Sequence, residues 1–142
     1  MVRDNKKTLQ IDFNDGNIPH TDYQYWPRLI IDRGSVYAVA IGLVQNEDDM
    51  HEFLTQVKRE PKHQTATHHS YAARMSRDGT IIETKNDDGE TGAGNVILRI
   101  LQKKNMMHTA VCVIRWYGGV KLEGDRFKHI QDATIYAVEL SH

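Results

Sequence analysis

The chain has 142 residues, 39% hydrophobic and 26% charged, with a formal net charge of −1, values that suit one soluble globular domain with a real core. They exclude a whole-protein basic footprint for nucleic acid, though not a local one, and no apolar run approaches the ~20 residues needed to span a bilayer. The single cysteine, Cys112, can form no internal disulfide. Within Val-Cys-Val it reads as a small buried hydrophobe in a reducing compartment, and with no secretory leader the expectation is a cytoplasmic protein.

In chain order, residues 1–33 read as an N-terminal extension. They hold Pro19 and Pro27 and show no sustained apolar period, yet Tyr23, Tyr25, Trp26, Leu29, Ile30 and Ile31 are too apolar for a solvated tail, so residues 23–31 are expected to be ordered by packing. Residues 34–142 form the domain proper. The run VYAVAIGLV, 36–44, predicts a buried strand. Asn46 then caps a helix whose apolar face is Met50, Phe53, Leu54 and Val57, ended by Pro61.

A strand from His69 to Met75 leads through Asp78-Gly79, a strong hairpin signal, to Ile81-Ile82. A second helix is predicted from Thr91, as cap, to Lys104, with Ala93, Ile97, Ile100 and Leu101 on one face and Asn105 as its stop. A buried strand follows at 109–116. The last helix runs from Gly124 to Leu140, with Phe127, Ile130, Ala133, Ala137 and Leu140 inward. This β-α-β-β-α-β-α order predicts a two-layer α+β domain with its sheet covered on one face.

Two segments carry chemistry. Asn86-Asp87-Asp88-Gly89-Glu90-Thr91-Gly92-Ala93-Gly94 gathers three carboxylates and three glycines at a helix start. Acids complementing the helix dipole and glycines allowing a tight path account for much of it; an anion cradle of backbone N–H groups or a hard-cation site at Asp87, Asp88 and Glu90 are the functional alternatives. The second segment is Arg115-Trp116-Tyr117-Gly118-Gly119-Val120-Lys121-Leu122 at a strand exit, continued by Arg126, Lys128 and His129. Arginine and aromatic side chains anchor protein interfaces, and the same set can stack bases and touch phosphates. No catalytic constellation, cofactor motif or specific metal set is found: His68 and His69 point to opposite sides of a strand, and the serines lack a nucleophile context. The acidic loop and the strand exit are expected to be neighbours, with Glu90 or Asp88 within reach of Arg115 or Lys121.

At these residues the chain resembles the Impact family, the imprinted and ancient domain proteins. The resemblance is carried by Asp32-Arg33-Gly34-Ser35, Ala66-Thr67-His68-His69-Ser70-Tyr71-Ala72, Asp87-Asp88-Gly89-Glu90-Thr91 with Gly94, and Arg115 through Ile130, covering about residues 32–140. Gly124-Asp125-Arg126-Phe127-Lys128-His129-Ile130 resembles the eukaryotic version. The resemblance implies a fold like ribosomal protein S5 domain 2 and a non-enzymatic role in translational control during amino-acid starvation or stress. It implies contacts with the large coactivator of the eIF2α kinase, with actin and with ribosomes. The residues before the ancient domain are too few for the RWD domain of those relatives.

The resulting expectation is a cytoplasmic binding domain whose surface combines Asp87, Asp88, Glu90, Arg115, Trp116, Tyr117, Gly118, Gly119, Lys121, Arg126, Lys128 and His129. A protein partner is favoured because acids and bases are interleaved; RNA or the ribosome is the alternative, and a small-ligand or enzymatic role at the glycine-rich loop a weaker one.

Overall fold

The computed structural model of the chain describes residues 22–141. It opens with two strands, β1 (Tyr23–Asp32) and β2 (Ser35–Leu43), joined by Arg33 and Gly34 at φ 47° and 85°. Two consecutive left-handed residues make the tight turn whose twist matches an antiparallel pair. α1 (Glu47–Arg59) is capped as expected: Asn46 Oδ1 accepts from the Asp49 N–H at 2.9 Å. A 3₁₀ turn over Pro61–Thr65 leads to β3 (His68–Arg77), which turns at Asp78-Gly79 into β4 (Thr80–Asn86). The chain continues through α2 (Ala93–Lys103), β5 (Thr109–Trp116) and α3 (Asp125–Leu140).

The five strands form one sheet in the order β1-β2-β5-β3-β4, with every neighbouring pair antiparallel. β1 is an addition to the order read from sequence. Its pairing with β2 shifts register between Trp26 and Ile30, around Pro27 and a left-handed Arg28. Proline donates no ladder bond and so sits at edges and bulges, and that irregularity hid the strand's period of two. Trp26, Leu29 and Ile30 pack on one core cluster, Tyr23 and Tyr25 on the other. Residues 1–21 of the extension lie outside the described residues.

The α+β class holds, and α2 and α3 form the expected helical layer over Tyr37, Val39, Ile41, Ala72, Val111 and Val113. The single covered face needs revision. Ala38, Ala40, Ala73, Ala110, Cys112 and Ile114 point the other way and are buried under Met50, Phe53 and Val57 of α1. β2 and β5 are thus apolar without alternation because both their faces are covered. Cys112 is fully buried, and burial pushes its thiol up to about 12, as suits a packed hydrophobe. Leu140, expected to face inward, is 47% exposed, since it occupies the last turn of α3.

Candidate functional site

The acidic loop connects β4 to α2. Thr91 does not cap α2; Asp87 does, from five residues before the cap position. Its Oδ2 accepts from the Gly92 N–H at 2.9 Å and its Oδ1 from the Gly94 N–H at 2.8 Å. Those two amides, Gly92 first, hold the Asp87 carboxyl below the usual carboxylate range. The glycine-rich helix start is therefore an anion cradle already filled by the chain's own carboxylate. Asp88, left-handed at φ 49°, turns back to β3: its Oδ2 accepts from the His69 N–H at 2.7 Å, and its carbonyl lies 2.8 Å from His68 Nδ1.

Glu90 points inward. Alternation along β5 sends Arg115 to the α2–α3 side of the sheet, and there its Nη1 donates to Glu90 Oε1 at 3.0 Å and Oε2 at 2.8 Å. Both side chains are 5% exposed. Arg126, at the start of α3, adds an Nη1 contact to Glu90 Oε2 at 3.3 Å and donates to the Thr91 carbonyl at 2.9 Å. The acidic loop and the strand exit thus meet through Glu90 and Arg115, as expected.

The loop after β5 is fastened from below. Ser35 Oγ accepts from Arg115 Nη2 at 3.3 Å and from the Gly118 N–H at 3.1 Å, and Thr67 Oγ1 accepts from the Tyr117 N–H at 2.9 Å. A Cβ on Gly118 would collide with the backbone of Gly34 and Ser35, so only glycine lets the two turns approach this closely. Gly119 serves a different need, a φ of 89° with open space around it. Tyr117 and Val120, 45% and 47% exposed, stand outward from this base with Lys121 beside them. Thr67, His68, Arg115, Tyr117, Lys121 and Arg126, with Leu122 and Glu123, line a cleft of 400 Å³ under the loop.

Trp116 is separated from this group because it points to the opposite face. Its Nε1–H lies 3.2 Å from both the Lys62 carbonyl and Thr65 Oγ1, and its ring packs 5.6 Å from that of His63. Lys128 is also apart, paired at 3.1 Å with Asp132 one turn along α3. His129 lies 2.7 Å from Asp32 Oδ2 at the β1–β2 turn and packs against Tyr37. Ser35, Thr67 and His68 stand in the segments that carry the family resemblance but were not among the residues expected to form the binding surface. Small hydroxyl residues that fasten a backbone leave no periodic mark in a sequence.

The family model for the Impact N-terminal domain matches residues 33–138. The chain belongs to this family. It is 36% identical over 107 residues to Protein IMPACT-B of Xenopus tropicalis, covering 74% of this chain and 34% of that protein. It is 32% identical over 126 residues to the Protein IMPACT homolog of Saccharomyces cerevisiae, covering 86% of this chain and 49% of that one. The chain therefore spans a third to a half of the length of these curated relatives. Among solved structures, the two-domain translational regulator Yih1 aligns with TM-score 0.55 and 30% identity, over 98% of this chain and 55% of that one. A crystal structure of a hypothetical protein aligns with TM-score 0.69 over 83% of this chain and 61% of that one. At 21% identity that second likeness speaks for the Impact-type fold alone.

Proposed function

We propose that this Impact domain is a non-enzymatic, cytoplasmic binding module of translational control under amino-acid starvation or stress, and that it works through protein contacts made by the Tyr117–Lys121 loop. The translational role is supported by the Impact membership and by the alignment with a relative described as a translational regulator. The partners follow the family resemblance: the coactivator of the eIF2α kinase, actin, or ribosome-associated proteins. One observation supports the loop as the contact. Tyr117 and Val120 are exposed on a backbone held by the Ser35 and Thr67 hydroxyls. An aromatic and an aliphatic side chain displayed on a rigid base bind with little ordering cost, and a neighbouring lysine adds charge selectivity.

RNA or the ribosome is a second reading, supported by the inward use of Asp87 and Glu90, which leaves Lys121 and Arg126 facing the cleft. Affinity isolation from starved and unstarved lysates, with and without ribonuclease, distinguishes the two. The protein reading expects ribonuclease-resistant capture of translation proteins that is lost with Tyr117→Ala and Val120→Asp. Capture that disappears on ribonuclease treatment would transfer the function to RNA.

A further inference from the structure

We infer that the cleft under the Tyr117–Lys121 loop is a carboxylate pocket, which receives an aspartate or glutamate side chain from an acidic segment of the protein partner. This rests on the loop being the contact surface and names the chemistry that it reads.

The pocket walls come from β3, β5, the loop and the start of α3. Beneath them one carboxylate, Glu90, is shared by two guanidiniums, Arg115 and Arg126, which leaves one positive charge uncompensated. Lys121 adds a second, with no carboxylate partner among the described residues, and Glu123 on the rim subtracts one. Leaving histidine aside, the arginines and lysine of the lining set against Glu90 and Glu123 sum to about +1, matched to one carboxylate.

Donors are present in the same place. Thr67 Oγ1 accepts from the Tyr117 N–H and keeps its own proton to give. Arg126, 25% exposed, spends only Nη1 on Glu90 and the Thr91 carbonyl, so its other N–H groups have no hydrogen-bond partner among the described residues. A planar guanidinium already oriented by an internal carboxylate offers its remaining N–H groups without further ordering. In the lining, exposed Tyr117 supplies an apolar ledge for the residue beside the entering acid.

Shape and charge both favour an acidic peptide over a nucleic acid. A single strand is held by an extended basic track with stacked bases over several nucleotides. Here the basic lining is confined to 400 Å³ and bounded by Glu123, with Asp88 adjacent through His68. A polyphosphate chain leaving the cleft would pass these acids, whereas an isolated side chain entering it would not.

The test is an amide chemical-shift titration of the whole chain with the blocked peptide Ac-Leu-Glu-Glu-Leu-NH2, its Gln-Gln counterpart and an oligouridine. The acidic peptide is expected to move the Thr67, His68, Tyr117 and Lys121 amides, the Gln-Gln peptide not to bind, and Lys121→Glu to weaken the acidic peptide by about tenfold or more. Lys121 is exposed and unpaired among the described residues, so this variant keeps the fold. Equal binding of the Gln-Gln peptide, still cleft amides with the acidic one, or cleft binding of oligouridine alone would each overturn the inference. Failure of the broader reading looks different. If Tyr117→Ala leaves lysate capture intact while the acidic peptide still titrates the cleft, the pocket stands and the loop is not the partner contact; loss of capture with an unresponsive cleft means the reverse.

Discussion

The two sides of the β5 exit have opposite character although they are only a few residues apart. Below the loop, Arg115, Glu90 and Ser35 are buried and joined to one another, and Arg126 links them to the cleft. Above it, Tyr117, Val120 and Lys121 are exposed. The lower side is where substitutions should cost stability, because a buried charge stripped of its partner is left uncompensated. The upper side is where they should cost mainly binding. A functional surface built this way takes its shape from the groups beneath it, with Tyr117, whose ring lies 5.6 Å from the Arg115 guanidinium, as the link between the two sides.

That division can be broken most severely from below. Glu90→Ala leaves Arg115 buried without its counter-charge and is expected to cost about 3–5 kcal/mol, read as a lower urea midpoint with unchanged m-value. A loss below about 1 kcal/mol, the range of a surface pair, would mean that water reaches the guanidinium and the cluster is not closed. Gly118→Ala comes next. Its Cβ meets backbone at Gly34 and Ser35, which cannot swing aside like a side chain, so the expected loss is about 1–3 kcal/mol or more, together with shifted amides in the β1–β2 turn. Stability equal to wild type would show that the two turns separate easily.

A third experiment asks whether the face carrying Trp116 is as firmly closed. His63 is buried, with Nδ1 2.7 Å from the Val57 carbonyl and Nε2 2.7 Å from the Tyr25 hydroxyl. The nitrogen facing a carbonyl must carry the proton, and the Tyr25 hydroxyl is able to donate to the other, an arrangement that suits a neutral ring. Burial holds its pKa below the ordinary 6.5. The unfolded chain therefore takes up the proton first as pH falls below 6.5, so this contribution is complete above that value and is lost towards the lower folded pKa. His69 is shifted in the same direction, also by burial. His63→Leu should accordingly flatten, without abolishing, the fall in stability as pH drops below 6.5. An unchanged slope would place the titration elsewhere.

Smaller effects sharpen the line between the two regions. Asp87→Ala removes the acceptor for two α2 amides and is expected to cost about 0.5–2 kcal/mol at neutral pH. Because the Asp87 carboxyl is held below 3.8, that contribution is present above 3.8 and fades as acid protonates it, so variant and wild type should converge at low pH. Tyr117→Ala, which removes a ring 5.6 Å from the Arg115 guanidinium, and Lys121→Ala close the series, costing about 0.5–1 kcal/mol and less than about 0.5 kcal/mol of stability respectively, while both reduce partner capture. A large stability loss at Tyr117 would move that residue to the structural side.

Much of the architecture was legible in residue order. Met50, Phe53 and Val57 recur at helical spacing, Asp78-Gly79 demands a left-handed turn, and the unbroken apolar runs of β2 and β5 mark central strands. These are local signals, because period and backbone preference belong to contiguous residues. β1 escaped because Pro27 and the bulge interrupt its alternation and its partner β2 supplies the regularity. The proximity of the acidic loop to the β5 exit was expected because connectivity allows both at one edge, and the Glu90–Arg115 contact is what joins them there. The destination of each charge was not. Asp87, Asp88 and Glu90 look alike in sequence, yet one caps a helix, one ties β3, and one neutralises the buried Arg115. Likewise Arg115 and Trp116 are adjacent but belong to opposite faces of the sheet. Sequence determined which groups were available; only tertiary structure decided which were consumed inside and which were left to meet a partner, because ion pairing and burial join residues separated by 25 to 83 positions along the chain.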